Sequence, residues 1–130
     1  MSYRILIVDD SPGMRAVLRR VIDLAGVPVL ECLTACHGLA ALAVLRSQPV
    51  DLILTDINMP EMNGEEFVDE LKKDPSLREI PVLVISTDAT SNRMQRMLEL
   101  GAAGYVIKPF QPETLRSEVE RVLGEVHVTG

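Results

Sequence analysis

Polar side chains that could do chemistry come directly after four short apolar runs of the sequence. They are three carboxylates, two hydroxyls and one ammonium: Asp9 and Asp10, Asp56, Ser86 and Thr87, and Lys108. If the apolar runs are parallel strands of one sheet, their carboxyl ends meet at one rim, where such sheets bind ligands. A single aspartate would more often be a helix cap or a turn former, and Asp10 could cap the helix that follows it. Four strand ends with complementary charges nevertheless favour a functional site.

The charges of this predicted site do not balance. Three carboxylates that face one another repel unless cations lie among them, and Lys108 supplies only one positive charge. A hard divalent cation with oxygen ligands would resolve the conflict. Mg²⁺ is the best candidate, because its usual ligands in proteins are one or two carboxylates, several waters and a phosphate.

The elements that must position these residues alternate along the chain. Apolar, β-branched runs typical of strands lie at Ile5–Val8, Val29–Thr34, Leu52–Thr55, Val82–Ile85 and Tyr105–Ile107. Stretches with helical spacing separate them. The first follows Ser11-Pro12, an N-cap with proline at the first helical position, and repeats apolar residues at Met14, Val17, Leu18, Val21, Ile22 and Ala25.

The alternation predicts an α/β fold. Strands that are apolar throughout are buried on both faces, so the sheet is expected to be parallel and covered by helices on both sides. Five strands in a chain of this length best fit a doubly wound sheet in the flavodoxin-like order 2-1-3-4-5. We expect one domain over residues 1–124, followed by a short tail at 125–130.

Composition excludes several classes of function. The 130 residues suit one domain, and 47% hydrophobic content with 3% aromatics and no Trp predicts an aliphatic core. A net charge of −6 argues against direct binding of nucleic acid. Two cysteines are too few for a disulfide framework, which indicates a reducing compartment. The first apolar run is too short for a signal peptide or a membrane span, so we expect a cytoplasmic protein.

These motifs resemble the receiver (CheY-like) domain of two-component response regulators. The resemblance runs in register over about residues 4 to 124. The residues that carry it are the pair Asp9-Asp10, the segment Leu54-Thr55-Asp56-Ile57-Asn58-Met59-Pro60 with Gly64, Ser86, and Gly101-Ala102-Ala103-Gly104-Tyr105-Val106-Ile107-Lys108-Pro109-Phe110. Ser86 occupies a position where Thr is the commoner choice in the family.

The resemblance implies a mechanism for the predicted site. Asp56 would be the nucleophile that takes a phosphoryl group from a phosphohistidine, in a Mg²⁺-dependent reaction. Asp10, Asp56 and the backbone carbonyl of Asn58 would bind Mg²⁺, and Asp9 would act through a metal-bound water. Lys108 would pair with a phosphoryl oxygen, and the Lys108–Pro109 bond would be cis. The domain would catalyse its own phosphorylation and dephosphorylation, yet serve as a signalling switch rather than an enzyme.

The resemblance also implies how the signal leaves the site. After phosphorylation, Ser86 would hydrogen-bond a phosphoryl oxygen, and the Tyr105 ring would swing inward. The alternative for Tyr105 is a core residue whose hydroxyl reaches water. The output surface would comprise the fourth helix, fifth strand and fifth helix. On the fourth helix two registers are possible: Met94, Met97, Leu98 and Gly101 inward, which periodicity favours, or Met97 and Leu100 inward with Met94 available to a partner.

The expected partners are a sensor histidine kinase or phosphotransfer protein and a downstream protein target, without nucleic acid or membrane. The chain is similar to stand-alone regulators, whose output passes through another protein. The sequence does not choose between chemotaxis, motility and a phosphorelay.

Other signals and other classes of protein are weaker. Cys32, Cys36 and His37 lack a fourth ligand for a metal site, and we expect both cysteines to be buried as small apolar residues. The acidic run Glu65-Glu66 with Asp69-Glu70 is interpreted as a solvated helix face. A phosphatase with an aspartyl-phosphate intermediate would need a second carboxylate where Asn58 stands. A docking module without phosphorylation would usually lack part of the acidic pair, the acceptor or the lysine.

Overall fold

The computed structural model describes the backbone of residues 2–129 and the side chains of residues 2–124. Strands and helices alternate as predicted, in ten elements: β1 Tyr3–Val8, α1 Pro12–Leu24, β2 Val29–Ala35, α2 Gly38–Ser47, β3 Leu52–Thr55, α3 Gly64–Lys73, β4 Val82–Ser86, α4 Ser91–Leu100, β5 Gly104–Ile107 and α5 Pro112–Thr129. The sheet is parallel throughout, and its order β2-β1-β3-β4-β5 confirms the predicted topology.

The end of α5 bears on the predicted tail at residues 125–130. The backbone of that segment continues the helix as far as Thr129. The side chains beyond Gly124 lie outside the described residues, so a domain boundary at residue 124 stays a prediction. Among residues 2–129, none of the helices combines the length and the apolar character that a bilayer crossing requires.

Two aliphatic layers, one on each face of the sheet, form the core. Alternation along β1 sends Leu6 and Val8 to one layer and Ile5 and Ile7 to the other. The first layer packs against α2, α3 and α4, and the second packs against α1 and α5. Because β3 and β4 are buried along their whole length, the polar residues that follow them emerge from a rigid base.

The edge strands depart from the expectation that every strand is buried on both faces. In β2, Leu30, Glu31 and Thr34 are exposed, and Ile107 at the end of β5 is exposed as well. Both strands have a neighbour on one side only, so the helices that flank the sheet cover them incompletely. An apolar run therefore indicated a strand here, but not its burial.

Helix α4 adopts the register that the sequence pattern favoured less. Met97 is fully buried and Leu100 packs on the core, whereas Leu98 is half exposed and Met94 is partly buried. The prediction that Leu98 points inward was therefore wrong. The reason is that Arg93 and Arg96, which share the helical stripe of Met97 and Leu100, both pair with Glu65 on α3.

Candidate functional site

Adjacent strands β1 and β3 bring the acidic residues together. Val8 and Thr55 are partners in the parallel register, so the residues that follow them emerge side by side. The backbone N–H of Asp56 donates to the Val8 carbonyl at 2.9 Å, which extends the pairing by one step. Asp9, Asp10 and Asp56 therefore reach the same rim because of the strand register, as the sequence predicted.

The three aspartates form one acidic cluster. A carboxylate oxygen from each of Asp9, Asp10 and Asp56 lies within 4.8 Å of the others. Asp9 is buried, Asp10 is exposed, and Asp56 retains 12% side-chain exposure. Among the described residues, this is the one group of three or more acidic, histidine or cysteine side chains arranged closely enough to hold a metal ion.

Lys108 reaches this cluster from the end of β5. Its Nζ lies 3.1 Å from Oδ2 of Asp9 and 3.2 Å from Oδ2 of Asp56. Burial works to lower the pKa of Lys108, but the Asp56 and Asp9 carboxylates outweigh it, and the pKa is raised above its usual value. The ammonium is therefore held in its charged form. The Lys108–Pro109 bond is cis, as the resemblance implied.

Backbone amides fix the other oxygen of two of these carboxylates. Oδ1 of Asp9 accepts from the Ser11 N–H at 2.9 Å, and Oδ1 of Asp56 accepts from the Ile57 N–H at 2.7 Å. The Oδ2 atoms are thereby aimed at Lys108. Ser11, rather than Asp10, caps α1, since its hydroxyl accepts from the Met14 N–H. Asp10 is thus not the cap of this helix, and its carboxylate belongs to the acidic cluster.

Gly64 allows the loop after Asp56 to pack tightly. A Cβ at this position would lie 2.3 Å from the carbonyl oxygen of Asp56, so only glycine fits. The Gly64 N–H donates to the Ile57 carbonyl at 2.8 Å, which anchors the start of α3 beside the acidic cluster. Asn58 follows Ile57 directly and is exposed at the same rim.

Ser86 and Tyr105 meet at the loop after β4. The buried Ser86 hydroxyl accepts from the Asp88 N–H at 3.1 Å, and the Tyr105 hydroxyl donates to the Asp88 carbonyl. Burial raises the pKa of the Tyr105 phenol, although the neighbouring Ser86 hydroxyl acts in the opposite direction. The hydroxyl of Tyr105 therefore has a protein partner, which the alternative of a tyrosine reaching only for water did not foresee.

Sequence reasoning missed the role of Glu65. Instead of lying on a solvated face, its half-buried carboxylate accepts from Arg93 Nη1 and, at 2.9 Å, from Arg96 Nε on the neighbouring helix. Arg93 also contacts Asp88, with its Nε 3.4 Å from the carboxylate. Helical periodicity within α3 gives no sign of these partners, because they lie 28 and 31 residues away.

The cysteines and His37 do not form a metal site. His37 caps α2, with its Nδ1 accepting from the Ala40 N–H at 3.1 Å. Cys36 is exposed, so the expectation that it is a buried apolar residue was wrong, while Cys32 is partly buried. The difference follows from position: Cys32 lies within β2, whereas Cys36 follows its last residue.

The rim thus joins clustered carboxylates, a charged lysine and a buried hydroxyl, a set suited to holding a cation and a phosphoryl group. A family model described as the response regulator receiver domain matches residues 5–120 of this sequence. The chain belongs to this family.

Related proteins and solved structures agree. Chemotaxis protein CheY1 of Helicobacter pylori is 34% identical over 93% of this chain and 97% of its own length. Chemotaxis protein CheY of Pseudomonas aeruginosa is 33% identical over 95% and 98%. The structure of chemotaxis response regulator CheY4 of Vibrio cholerae superposes with a TM-score of 0.83 at 34% identity, covering 94% of this chain and 99% of that one.

A more distant structure supports the same fold. The CheY-like receiver domain protein of Methanospirillum hungatei has a TM-score of 0.87 at 27% identity and covers both chains completely. The protein is therefore a receiver domain of the CheY type, a family of signalling switches. Its acidic rim is consistent with a phosphoacceptor role in two-component signalling.

Proposed function

We propose that Asp56 is the phosphoacceptor and that its partner is a histidine kinase or phosphotransfer protein. The observation that carries this choice is a combination of contact and access. Asp9 also touches Lys108, but it is buried, with 2% side-chain exposure. Asp10 is exposed, yet Lys108 forms its ion pairs with the other two. Asp56 is the one carboxylate of the three that both pairs with Lys108 and keeps some side-chain exposure, 12%. That exposure leaves it accessible to an incoming phosphoryl group.

The acidic cluster fits a divalent cation of the Mg²⁺ type. Its carboxylate oxygens lie within ligand-sharing distance of one another, and three negative charges face a single ammonium. Asp10, Asp56 and the Asn58 backbone carbonyl would hold Mg²⁺ directly, and Asp9 would act through a water. When bound, Mg²⁺ supplies neutralisation of the charge on the phosphoryl oxygens.

The chain's own residues perform the transfer. An Asp56 carboxylate oxygen attacks phosphorus, the bond from phosphorus to the donor's imidazole nitrogen breaks, and an acyl phosphate forms. The Ile57 N–H holds the second carboxylate oxygen and so orients the attack. Lys108, kept charged by the carboxylates, moves its pairing to a phosphoryl oxygen. The same residues serve the later hydrolysis, so the domain acts as a self-modifying switch and not as an enzyme on other substrates.

Ser86 and Tyr105 would convert phosphorylation into a change of surface. In the structure the Ser86 hydroxyl is engaged with the Asp88 amide, and Tyr105 holds the Asp88 carbonyl. Once Ser86 turns to a phosphoryl oxygen, the loop loses the hydrogen bond between the Asp88 amide and Ser86. The Tyr105 ring would then swing inward. The surface of α4, β5 and α5, where Leu98 and Ile107 are exposed, would carry the result to a protein target. Direct binding of nucleic acid or membrane is not expected, and a cytoplasmic location stays a prediction.

The acceptor is tested with a small phosphodonor. Incubation with acetyl phosphate and Mg²⁺ should add one phosphoryl mass to the protein, stable in acid and lost quickly in base or hydroxylamine. Asp56→Asn should abolish the added mass, whereas Glu65→Gln, a matched loss of one carboxylate outside the acidic cluster, should retain it. Intact-mass spectrometry reads both, and equal labelling of Asp56→Asn would show that the acceptor is another residue.

The role of Ser86 is tested by NMR with beryllofluoride and Mg²⁺, which mimic the phosphoryl group on the carboxylate. Amide shifts should appear around Met94, Arg96, Tyr105 and Gln111. Ser86→Ala should still bind beryllofluoride but show smaller shifts at these distant amides, because one hydrogen bond to a charged group is worth about 1.5–3 kcal/mol. Distant shifts of full size in Ser86→Ala would assign the coupling to Lys108 or to the loop after β4 instead.

A further inference from the structure

An ion-paired bridge connects α3 to the loop between β4 and α4. The bridge consists of Glu65, Arg93 and Asp88, and we call it the α3–loop clamp. Arg93 donates to Glu65 through Nη1, and its Nε lies 3.4 Å from Oδ2 of Asp88. One guanidinium thus spans two elements, which suits arginine because its donors are arranged in a rigid fork.

Both ends of the α3–loop clamp lead back to the acidic rim. At one end Glu65 follows Gly64, whose N–H donates to the Ile57 carbonyl next to Asp56. At the other end Asp88 gives its N–H to the Ser86 hydroxyl and accepts from Tyr105 at its carbonyl. The Ser86 carbonyl in turn accepts from the Lys108 N–H at 2.8 Å, so the chain of contacts runs from the residue next to Asp56 round to Lys108 at the same rim.

The loop has few other anchors. The Asp88 carboxylate accepts from the N–H and hydroxyl of Thr90 at 3.0 and 2.8 Å, which are contacts within the loop itself. These bonds, with Arg93, hold the pKa of Asp88 below its usual value, so its carboxylate is charged at neutral pH. Arg93 is the contact that joins this carboxylate to a different element of the fold.

We infer that Arg93 is a positioning residue: by holding Asp88 against α3, it keeps the loop where the Asp88 carbonyl can anchor the Tyr105 ring. The first turn of α3 thereby becomes part of the switch, because Arg93 on α4 connects it to the loop that holds Tyr105 of β5. The contacts of the α3–loop clamp are observed in the structure itself. Its consequence for signalling rests on the proposed function of Asp56, Ser86 and Tyr105.

The first experiment measures the Tyr105 side chain without any phosphodonor. Three-bond couplings and ring NOEs should show one χ1 rotamer in the unchanged protein. Arg93→Ala and Arg93→Lys should both give rotamer averaging, since a lysine ammonium cannot bridge two carboxylates in the same way. Arg96→Ala is the matched control, because it removes the same charge from the same helix and takes away one of the two partners of Glu65, yet Arg96 forms no ion pair with Asp88. Its Tyr105 rotamer should not change.

A second experiment measures the signalling consequence. Arg93→Ala should alter the affinity for beryllofluoride with Mg²⁺ by about fivefold, at the low end of typical coupling between sites. Arg96→Ala should leave that affinity unchanged. Thermal unfolding of each variant establishes that the fold is intact.

The outcomes separate the two proposals. A single Tyr105 rotamer in Arg93→Ala, or equal averaging in Arg96→Ala, overturns the α3–loop clamp. Averaging that is confined to the Arg93 variants supports it, even if Asp56 proves not to be the acceptor. A failure of beryllofluoride to bind the unchanged protein would count against the proposed function and leave the first experiment fully interpretable.

Discussion

Two clusters of charge near the carboxyl ends of the strands differ in their balance. The acidic rim has three carboxylates against one ammonium, and its ion-paired groups are almost fully buried. The α3–loop clamp with Arg96 has two carboxylates against two guanidinium groups, and each is partly open to solvent. Excess negative charge that the protein's own cations do not balance marks a candidate functional site, and a bound cation would complete it. Balanced, exposed charge is suited to positioning and contributes little stability.

The largest expected effect is the loss of the one cation at the acidic rim. Lys108→Met leaves the buried Asp9 carboxylate and its neighbours without a counter-charge, and should cost about 3 kcal/mol in the free energy of unfolding without metal. Arg96→Met, which removes a half-exposed partner of Glu65, should cost less than about 1 kcal/mol. Urea denaturation measures both. Adding Mg²⁺ should recover much of the Lys108→Met loss and none of the Arg96→Met loss.

The pH dependence gives a second view of Lys108. Its pKa is raised in the folded protein, so its contribution to stability is fully present below the unfolded-state value of about 10.4 and is lost as pH rises through the folded value. The difference in stability between the unchanged protein and Lys108→Met should therefore be constant from pH 7 to 9 and shrink at higher pH. A difference that shrank below pH 9 would contradict a raised pKa.

Metal binding should distinguish the clusters next. Asp10→Ala removes a proposed direct ligand and should weaken Mg²⁺ binding by about tenfold or more, a change of at least about 1.4 kcal/mol. Glu65→Gln removes an equal charge from the balanced cluster and should leave the affinity within about twofold. Calorimetry or NMR titration reads each variant. Equal weakening in the two would mean that general negative charge, rather than the acidic rim, attracts the ion.

The comparison also explains what the sequence could and could not predict. Asp9, Asp56 and Lys108 were identified because each follows an apolar run, and parallel strands necessarily bring such positions to one rim. Glu65 was misassigned because its partners lie on another helix, and no local pattern encodes how two helices are rotated against each other. The same rotation decided the burial of Met97 and the exposure of Leu98. Order along the sheet was thus predictable, while helix rotation and loop anchoring were not.

Edge effects account for the remaining errors. Leu30 and Cys36 are apolar by type, yet they are exposed in and beside an edge strand that has one neighbour. Residue type alone does not reveal where a strand lies in the sheet. The partner of the Tyr105 hydroxyl was missed for a related reason. It is a backbone carbonyl, and every residue has one, so residue types do not indicate which carbonyl a side chain will reach.

The smallest expected effect concerns salt and the α3–loop clamp. Glu65 and Arg93 keep about a third of their side-chain exposure, so a double-mutant cycle with Glu65→Gln and Arg93→Gln should give a coupling of about 0.5 kcal/mol at low salt. Raising NaCl to 1 M shortens the screening length to about 3 Å and should remove most of it. The stability lost in Lys108→Met should change much less under the same conditions, because its partners are nearly inaccessible to ions. If the Glu65–Arg93 coupling instead withstood 1 M NaCl, this pair would behave as a buried one, and charge balance would not separate the two clusters.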